Sequence, residues 1–181
     1  MSKFFTRTGD DGYAGLLGEG RVPKSDLRIE TVGTIDEASA ALAVARAGVL
    51  SGEGPVVIQV QRDLYGIMGE VAATAKNAER FRVIGSEQVA WIEEQIERIS
   101  KGVESIGEFI VPGDTPSGAA FDMARTVVRR AERRMAELAF RGDIQNPELL
   151  KYLNRLSSLC YVLELVENKN AGPQKPTLAK G

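Results

Sequence analysis

Apolar residues recur at spacings of three and four along most of this chain, and that repeat constrains the fold more than any other feature of the sequence. Ile35, Ala38, Leu42 and Ala45 form one row. Val57, Val60, Leu64, Ile67 and Val71 form a second, Val89, Ile92, Ile96 and Ile99 a third, and Leu149, Leu153, Leu156, Cys160 and Leu163 a fourth. At about 3.6 residues per helical turn each row falls on one face, whereas a half-buried strand would alternate every second residue. A further stretch carries Ala120, Ala124, Val127, Val128, Ala131, Met135 and Leu138 as a stripe.

The punctuation agrees with this reading. Ser86 and Gly102 bracket the third row, and Gly142 ends the stretch that Thr115-Pro116 opens. Asn146-Pro147 repeats the cap-plus-proline signal before the last row. Ser, Thr and Asn accept hydrogen bonds from unpaired first-turn N–H groups, and proline at the first helical position lacks an N–H to leave unpaired. The pattern therefore predicts five helices, over about 27–48, 55–76, 86–101, 116–141 and 147–169. Short links between long amphipathic helices imply an all-α, antiparallel five-helix bundle. Residues 1–25, broken by Gly9, Gly12, Gly15, Gly18 and Gly20, read as an irregular arm. Residues 105–113 read as extended, and 170–181 as a loose tail. The expected organisation is one domain over 1–181, with the bundle at 26–169.

With 181 residues, 43% of them hydrophobic, the chain is long enough for a full core. No apolar run approaches the roughly 20 residues of a membrane span, and Met-Ser-Lys-Phe-Phe-Thr-Arg lacks the apolar region of a secretory signal. A single cysteine, Cys160, excludes an intrachain disulfide and a cysteine-rich zinc site. These observations lead us to expect a cytoplasmic protein. There is no histidine, which removes the commonest general base and metal ligand and forbids a Ser-His-Asp triad. Chemistry must then come from positioning, electrostatics or carboxylates.

Against a formal net charge of -2, Arg125-Thr-Val-Val-Arg129-Arg130-Ala-Glu132-Arg133-Arg134 concentrates five arginines in ten residues. At about 100° per residue, Arg125, Arg129, Glu132 and Arg133 share one face, and Arg130 and Arg134 lie apart from it. Two readings stand: a solvated helix face, or an anion site. Like charges four apart repel by about 0.2–0.5 kcal/mol per pair. A bound phosphate would relieve that repulsion, and the planar arginine fork suits it.

The glycine-rich arm holds parts of the same kind. Glycines let successive N–H groups converge on one anion. Thr6 and Thr8 add hydroxyls, and Arg7 and Lys24 add charge. The segment fits neither the Walker loop nor the dinucleotide fingerprint, and a flexible tail is the competing reading. Phe4, Phe5, Tyr13, Leu16 and Leu17 argue against a tail, as apolar anchors for the arm. Asp36-Glu37 reads as a metal or acid/base pair, or as helix surface pairing with arginine. Phe109 reads as a core aromatic. Asn154 reads as a surface amide, or as a buried hydrogen-bonding group between core leucines.

Together these segments resemble one family, the PduO-type ATP:cob(I)alamin (corrinoid) adenosyltransferases. The resemblance rests on Thr6-Arg-Thr-Gly-Asp-Asp-Gly12, Pro23-Lys24, Val32-Gly-Thr-Ile-Asp36-Glu37, Phe109-Ile-Val-Pro-Gly113, the arginine run and Tyr152-Leu-Asn-Arg-Leu-Ser157, in the family's order over about residues 4–168. It implies a ferritin-like bundle that trimerises and binds ATP between subunits. By similarity, the ATP site comprises Thr6, Arg7, Thr8, Gly9, Ala14, Gly15, Lys24, Arg129, Arg130, Glu132, Arg133 and Asn154. Asp36 and Arg125 resemble the family's salt bridge across the subunit interface. Phe109 resembles the residue that packs by the corrin and displaces its lower axial ligand, and Arg129 and Lys24 the catalytic cations. The family carries Thr or Ser where this chain has Ala14-Gly15, so a hydroxyl contact to phosphate is lost there.

The implied reaction moves the 5′-deoxyadenosyl group of ATP to the cobalt of cob(I)alamin and releases triphosphate. The cobalt is the nucleophile, so a chain without histidine suffices. Mg²⁺ would enter on the ATP phosphates, and a reductase would supply electrons. Two other readings remain at this point: an ATP-dependent phosphoryl-transfer enzyme, and a non-catalytic helical bundle that binds nucleotides or acidic partners. A sequence pI of about 5.4 with one short basic face argues against nucleic acid.

Overall fold

The computed structural model describes residues 4–104, 106–173 and 175–180. The expectations for residues 1–3 of the arm, for Ser105, and for Gln174 and Gly181 of the tail lie outside the described residues. Five helices form: α1 (Leu27–Ala47), α2 (Gly54–Ala72), α3 (Ser86–Ser100), α4 (Pro116–Phe140) and α5 (Glu148–Ala171). The second stops four residues short of its expected end, and a 3-10 turn at Ala78–Phe81 follows. The side chains that cross between helices fix their directions. Glu37 meets Arg130 and Glu30 meets Arg134, so α1 and α4 run antiparallel. Asp63 meets Tyr152 while Leu50 meets Glu167, so α2 and α5 do the same. Successive helices alternate up and down, which leaves α3 and α5 side by side and parallel, joined by Arg155 with Glu93 and Lys169 with Gly102.

The rows predicted from sequence supply the core. Ile35, Leu64, Ile67, Ile92, Leu153 and Leu156 are each wholly buried, and burying a side chain of this size stabilises by about 1.5–3 kcal/mol. Phe121 and Met135 join them from α4. Between α4 and α5, Gly118 faces Asn168, and a Cβ there would stand 2.1 Å from Asn168 Oδ1. Buried polar groups are mostly matched: the Tyr152 hydroxyl donates to Asp63 at 2.6 Å, and Asn146 Nδ2 donates to Glu70 and to the Ile84 carbonyl. Glu167 accepts the N–H groups of Leu50 and Ser51. No helix among the described residues is long and apolar enough to cross a membrane.

Several of the helix ends follow the sequence signals. Thr115 accepts the Gly118 N–H, Asn146 accepts the Glu148 N–H, and Gly142 takes φ +77 at the end of α4. Ser86, expected as a cap, is instead the first residue of α3. Gly85 holds the cap position, and its N–H donates to Gln88.

The arm, irregular for most of its length, contains a short hairpin that the sequence did not announce. Strand β1 (Tyr13–Gly15) pairs antiparallel with β2 (Arg21–Pro23). The tail is also more ordered than its prolines and lysines suggested. Val111 donates to the Thr177 carbonyl and Ala179 to the Phe109 carbonyl, both at 2.8 Å, and Thr177 bonds Asp114. Residues 177–179 thus lie against 109–111 through an isolated antiparallel bridge between Ile110 and Leu178, which corrects the expectation of a loose tail for this stretch.

Candidate active site

Arg21, which sequence reasoning passed over, organises the arm. Its guanidinium grips both oxygens of Asp11 at 2.7 Å and donates to the carbonyls of Thr8 and Tyr13. Hydrogen bonding from Arg21 holds the Asp11 carboxyl down at about 2, so the clasp keeps its charge at any physiological pH. Gly12, at φ +81, makes the turn that brings Asp11 and Tyr13 to this clasp. Within the resulting loop, Thr6 and Thr8 share a hydroxyl hydrogen bond of 2.8 Å. Lys24 lies against Gly9, where a Cβ would stand 3.1 Å from its Nζ. Arg7 takes φ +61, a conformation unusual for a residue with a side chain.

The anchors are fewer than expected. Leu17 docks through its backbone, to Ala72 and Thr74 at the end of α2. Phe4 is 97% exposed, whereas Phe5 and Tyr13 stack on Arg7 and Arg21. So the predicted arm residues Thr6, Thr8, Gly9 and Lys24 come together, and Ala14 and Gly15 sit on the hairpin strand beside them.

The arginines of α4 divide into two sets. Arg130 pairs with Glu37, and Arg134 lies 3.8 Å from Glu30 and 3.6 Å from Glu137. Arg125 is held by Asp122, at 2.7 Å through Nη2 and 2.8 Å through Nε. Arg129 and Arg133 are exposed and, among the described residues, make no ion pair or hydrogen bond. They are the unneutralised charge of the run. Glu132 accepts from Asn154 Nδ2 at 2.7 Å, and Asn154 in turn accepts from Arg155. Asn154 is exposed, which corrects the alternative that its apolar flanks bury it. Asp36 is exposed on α1 and does not meet Arg125 within the chain. Likewise, no hydrogen bond or ion pair among the described residues joins the arm to α4.

A cavity of about 590 Å³ lies between the segment around Phe109 and the middle of α4 and α5. Arg125 and Arg129 reach it from one side, and Tyr161 and Glu164 from another. Phe109 stands at its edge, 85% exposed, which corrects the reading of this ring as a core aromatic. Backbone hydrogen bonds from Ala179 to Phe109 and from Val111 to Thr177 hold its backbone in place. An exposed phenylalanine beside an unpaired arginine, on a cavity this large, suits a bulky ligand that is apolar at one end and anionic at the other. The chain's one thiol takes no part, because burial pushes Cys160 up to about 12 and keeps it protonated.

Glu164 was not singled out by sequence, where it looks like one more charge on a helix surface. It is fully buried, and among the described residues neither carboxylate oxygen has a hydrogen-bond partner. Only the three-dimensional packing reveals it. Asp11 belongs to a motif that the sequence offered, but its pairing with Arg21, ten residues further on, was hidden, since no spacing rule links the two.

The curated relatives are of one kind. The corrinoid adenosyltransferase of Bacillus subtilis is 32% identical over 175 residues, covering 94% of this chain and 89% of its own length. Corrinoid adenosyltransferase PduO of Salmonella typhimurium is 34% identical over 169 residues, which cover 92% of this chain. The chain spans only about half the length of PduO, 50% in that alignment. Among solved structures, a phenylalanine-to-histidine variant of the PduO-type ATP:corrinoid adenosyltransferase from Lactobacillus reuteri, complexed with cobalamin and ATP, superposes with a TM-score of 0.89 at 26% identity, over 99% of this chain and 97% of that one. The sequence profile of the cobalamin adenosyltransferase family matches residues 4–167. With that match running through the arm, the arginine helix and α5 alike, the chain belongs to the cobalamin adenosyltransferase family.

Proposed function

We propose that this protein transfers the 5′-deoxyadenosyl group of ATP to the cobalt of a reduced corrinoid, cob(I)alamin, and releases triphosphate. The observation that carries the reading is the pairing of unneutralised Arg129 with exposed Phe109 on one large cavity, in a chain of this family. The cobalt electron pair forms the Co–C5′ bond. The C5′–O bond breaks, and its electrons leave with triphosphate. The protein has two tasks: to align cobalt with C5′, and to stabilise charge building on the leaving group. Arg129 and Lys24 serve the second. Thr6, Arg7, Thr8, Gly9, Ala14, Gly15, Arg130, Glu132, Arg133 and Asn154 complete the nucleotide site.

The arm and the arginine helix carry complementary halves of that site, and among the described residues no hydrogen bond or ion pair joins them within one chain. We therefore place the site between subunits of a trimer, with Asp36 of one chain facing Arg125 of the next. Among the described residues no cluster of three or more Asp, Glu or Cys could hold a metal. In this reading Mg²⁺ would be carried by the triphosphate oxygens, where it would share the neutralisation with Arg129. An electron-donating reductase and a cytoplasmic setting complete the reading.

The test is anaerobic incubation with cob(II)alamin, a reductant, ATP and Mg²⁺. The expected products are adenosylcobalamin and triphosphate, from a protein whose light-scattering mass is three chains. ADP and phosphate would instead mark a phosphoryl-transfer enzyme, and ATP binding without turnover of any corrinoid a binding protein. Arg21→Ala is expected to raise the KM for ATP about tenfold, by leaving Thr8 and Tyr13 unclasped. Helix content by circular dichroism should not change, because the clasp lies outside the core.

A further inference from the structure

We propose that Glu164 determines specificity in this cavity by pairing with a carboxamide side chain at the edge of the corrin ring. The inference rests on the reading of the cavity as a corrinoid site. Glu164 is among the residues that line that cavity, from α5; its side chain is buried, and among the described residues neither oxygen has a hydrogen-bond partner. Glu167, three residues on, shows what a purely structural buried glutamate looks like here, since it accepts the N–H groups of Leu50 and Ser51. Leaving a buried polar group unmatched is costly, so such a group at the wall of a large cavity points to a ligand atom that completes it.

The surroundings define the ligand chemistry. From α4, Asp122 and Arg125 face Glu164, but Arg125 already gives Nε and Nη2 to Asp122. From its own helix come Tyr161 and Cys160, and Asp114 stands before α4. Burial first, then the Asp122 charge, push the Glu164 carboxyl up to about 7, against a smaller opposing pull from Arg125. Near neutrality it is therefore an acid much of the time, with one O–H to donate and one carbonyl oxygen to accept. A primary carboxamide offers the reverse set, an oxygen to accept and an N–H to donate, so the two form a closed two-point pair. A ring carboxylate offers no donor and meets Asp122, and Glu164 too once it ionises. The corrin periphery carries acetamide and propionamide chains, and the site would select these over their carboxylate forms.

The test compares full-length wild type, Glu164→Leu and Glu164→Gln on cobalamin and on a cobalamin with one side-chain carboxamide hydrolysed to carboxylate. Glu164→Leu should raise the KM for cobalamin about tenfold, the worth of a lost buried hydrogen bond, and leave the KM for ATP unchanged. Its Tm should rise, because an unmatched buried acid has been replaced by an apolar group of similar size. Glu164→Gln should keep the cobalamin KM near wild type. Wild-type preference for the amide form should grow between pH 6 and 8 as Glu164 ionises, whereas the Gln preference should stay flat. Wild-type turnover with an unaltered cobalamin KM in Glu164→Leu would overturn this inference alone. No Co–C product from wild type would overturn the corrinoid reading and this inference with it.

Discussion

Arg129→Ala is expected to lower turnover by about 10²–10³, the effect of removing one donor aimed at developing negative charge. The loss should fall on kcat more than on the KM for ATP, since the charge on the bridging oxygen grows only as the C5′–O bond breaks. Its position makes the substitution clean. Arg129 is exposed and makes no ion pair among the described residues, so truncation strands no carboxylate and opens no cavity. Arg130→Ala lacks that property, because it leaves Glu37 without its partner. Arg129→Lys separates charge from geometry: a lysine keeps the cation but loses the two-pronged donor. Single-turnover measurement with pre-reduced cob(I)alamin reads the chemical step directly. Undiminished turnover in Arg129→Ala would remove this arginine from the leaving-group site.

The same helix shows how far a sequence can be read. The apolar stripe and the basic face of α4 follow from a repeat of about 100° per residue, and so they were legible. Which arginine is already neutralised was not, because Glu37 and Glu30 come from α1 and are placed by the packing of two helices. Glu164 illustrates the opposite error. A charge between leucines on an amphipathic helix reads as solvated, whereas in the folded chain Glu164 is buried. The hairpin of the arm escaped because its strands are three residues each, too short for alternation to register. The tail escaped because its order comes from bonds to Phe109, Val111 and Asp114, more than sixty residues away in the chain. Local rules thus recovered the bundle, and the family resemblance supplied the roles proposed for the arm and the arginines. What neither recovered were contacts made by residues that look like ordinary surface.

Phe109→Ala is expected to reduce adenosylation from cob(II)alamin by about a hundredfold and to reduce it far less from pre-reduced cob(I)alamin. Cob(II)alamin accepts its electron reluctantly while a lower ligand donates to cobalt, so a group that displaces the ligand eases the reduction. A change of about 120 mV in a one-electron potential is a hundredfold in the equilibrium, at about 59 mV per tenfold. The position of Phe109 at the cavity edge suits this proposed steric task. The ring is 85% exposed, so its removal should cost the fold nothing measurable and leave Tm unchanged. Its backbone is fixed independently of the ring, since its carbonyl accepts from Ala179 and its neighbour Val111 donates to Thr177. The alanine variant should therefore keep the segment in place and lose only the apolar bulk over the cavity. Leucine at this position should recover part of the loss, because the task needs volume and dryness more than an aromatic ring. Equal losses from cob(II)alamin and cob(I)alamin would mean that Phe109 only helps to bind the corrinoid, and the ligand-displacement role would be withdrawn.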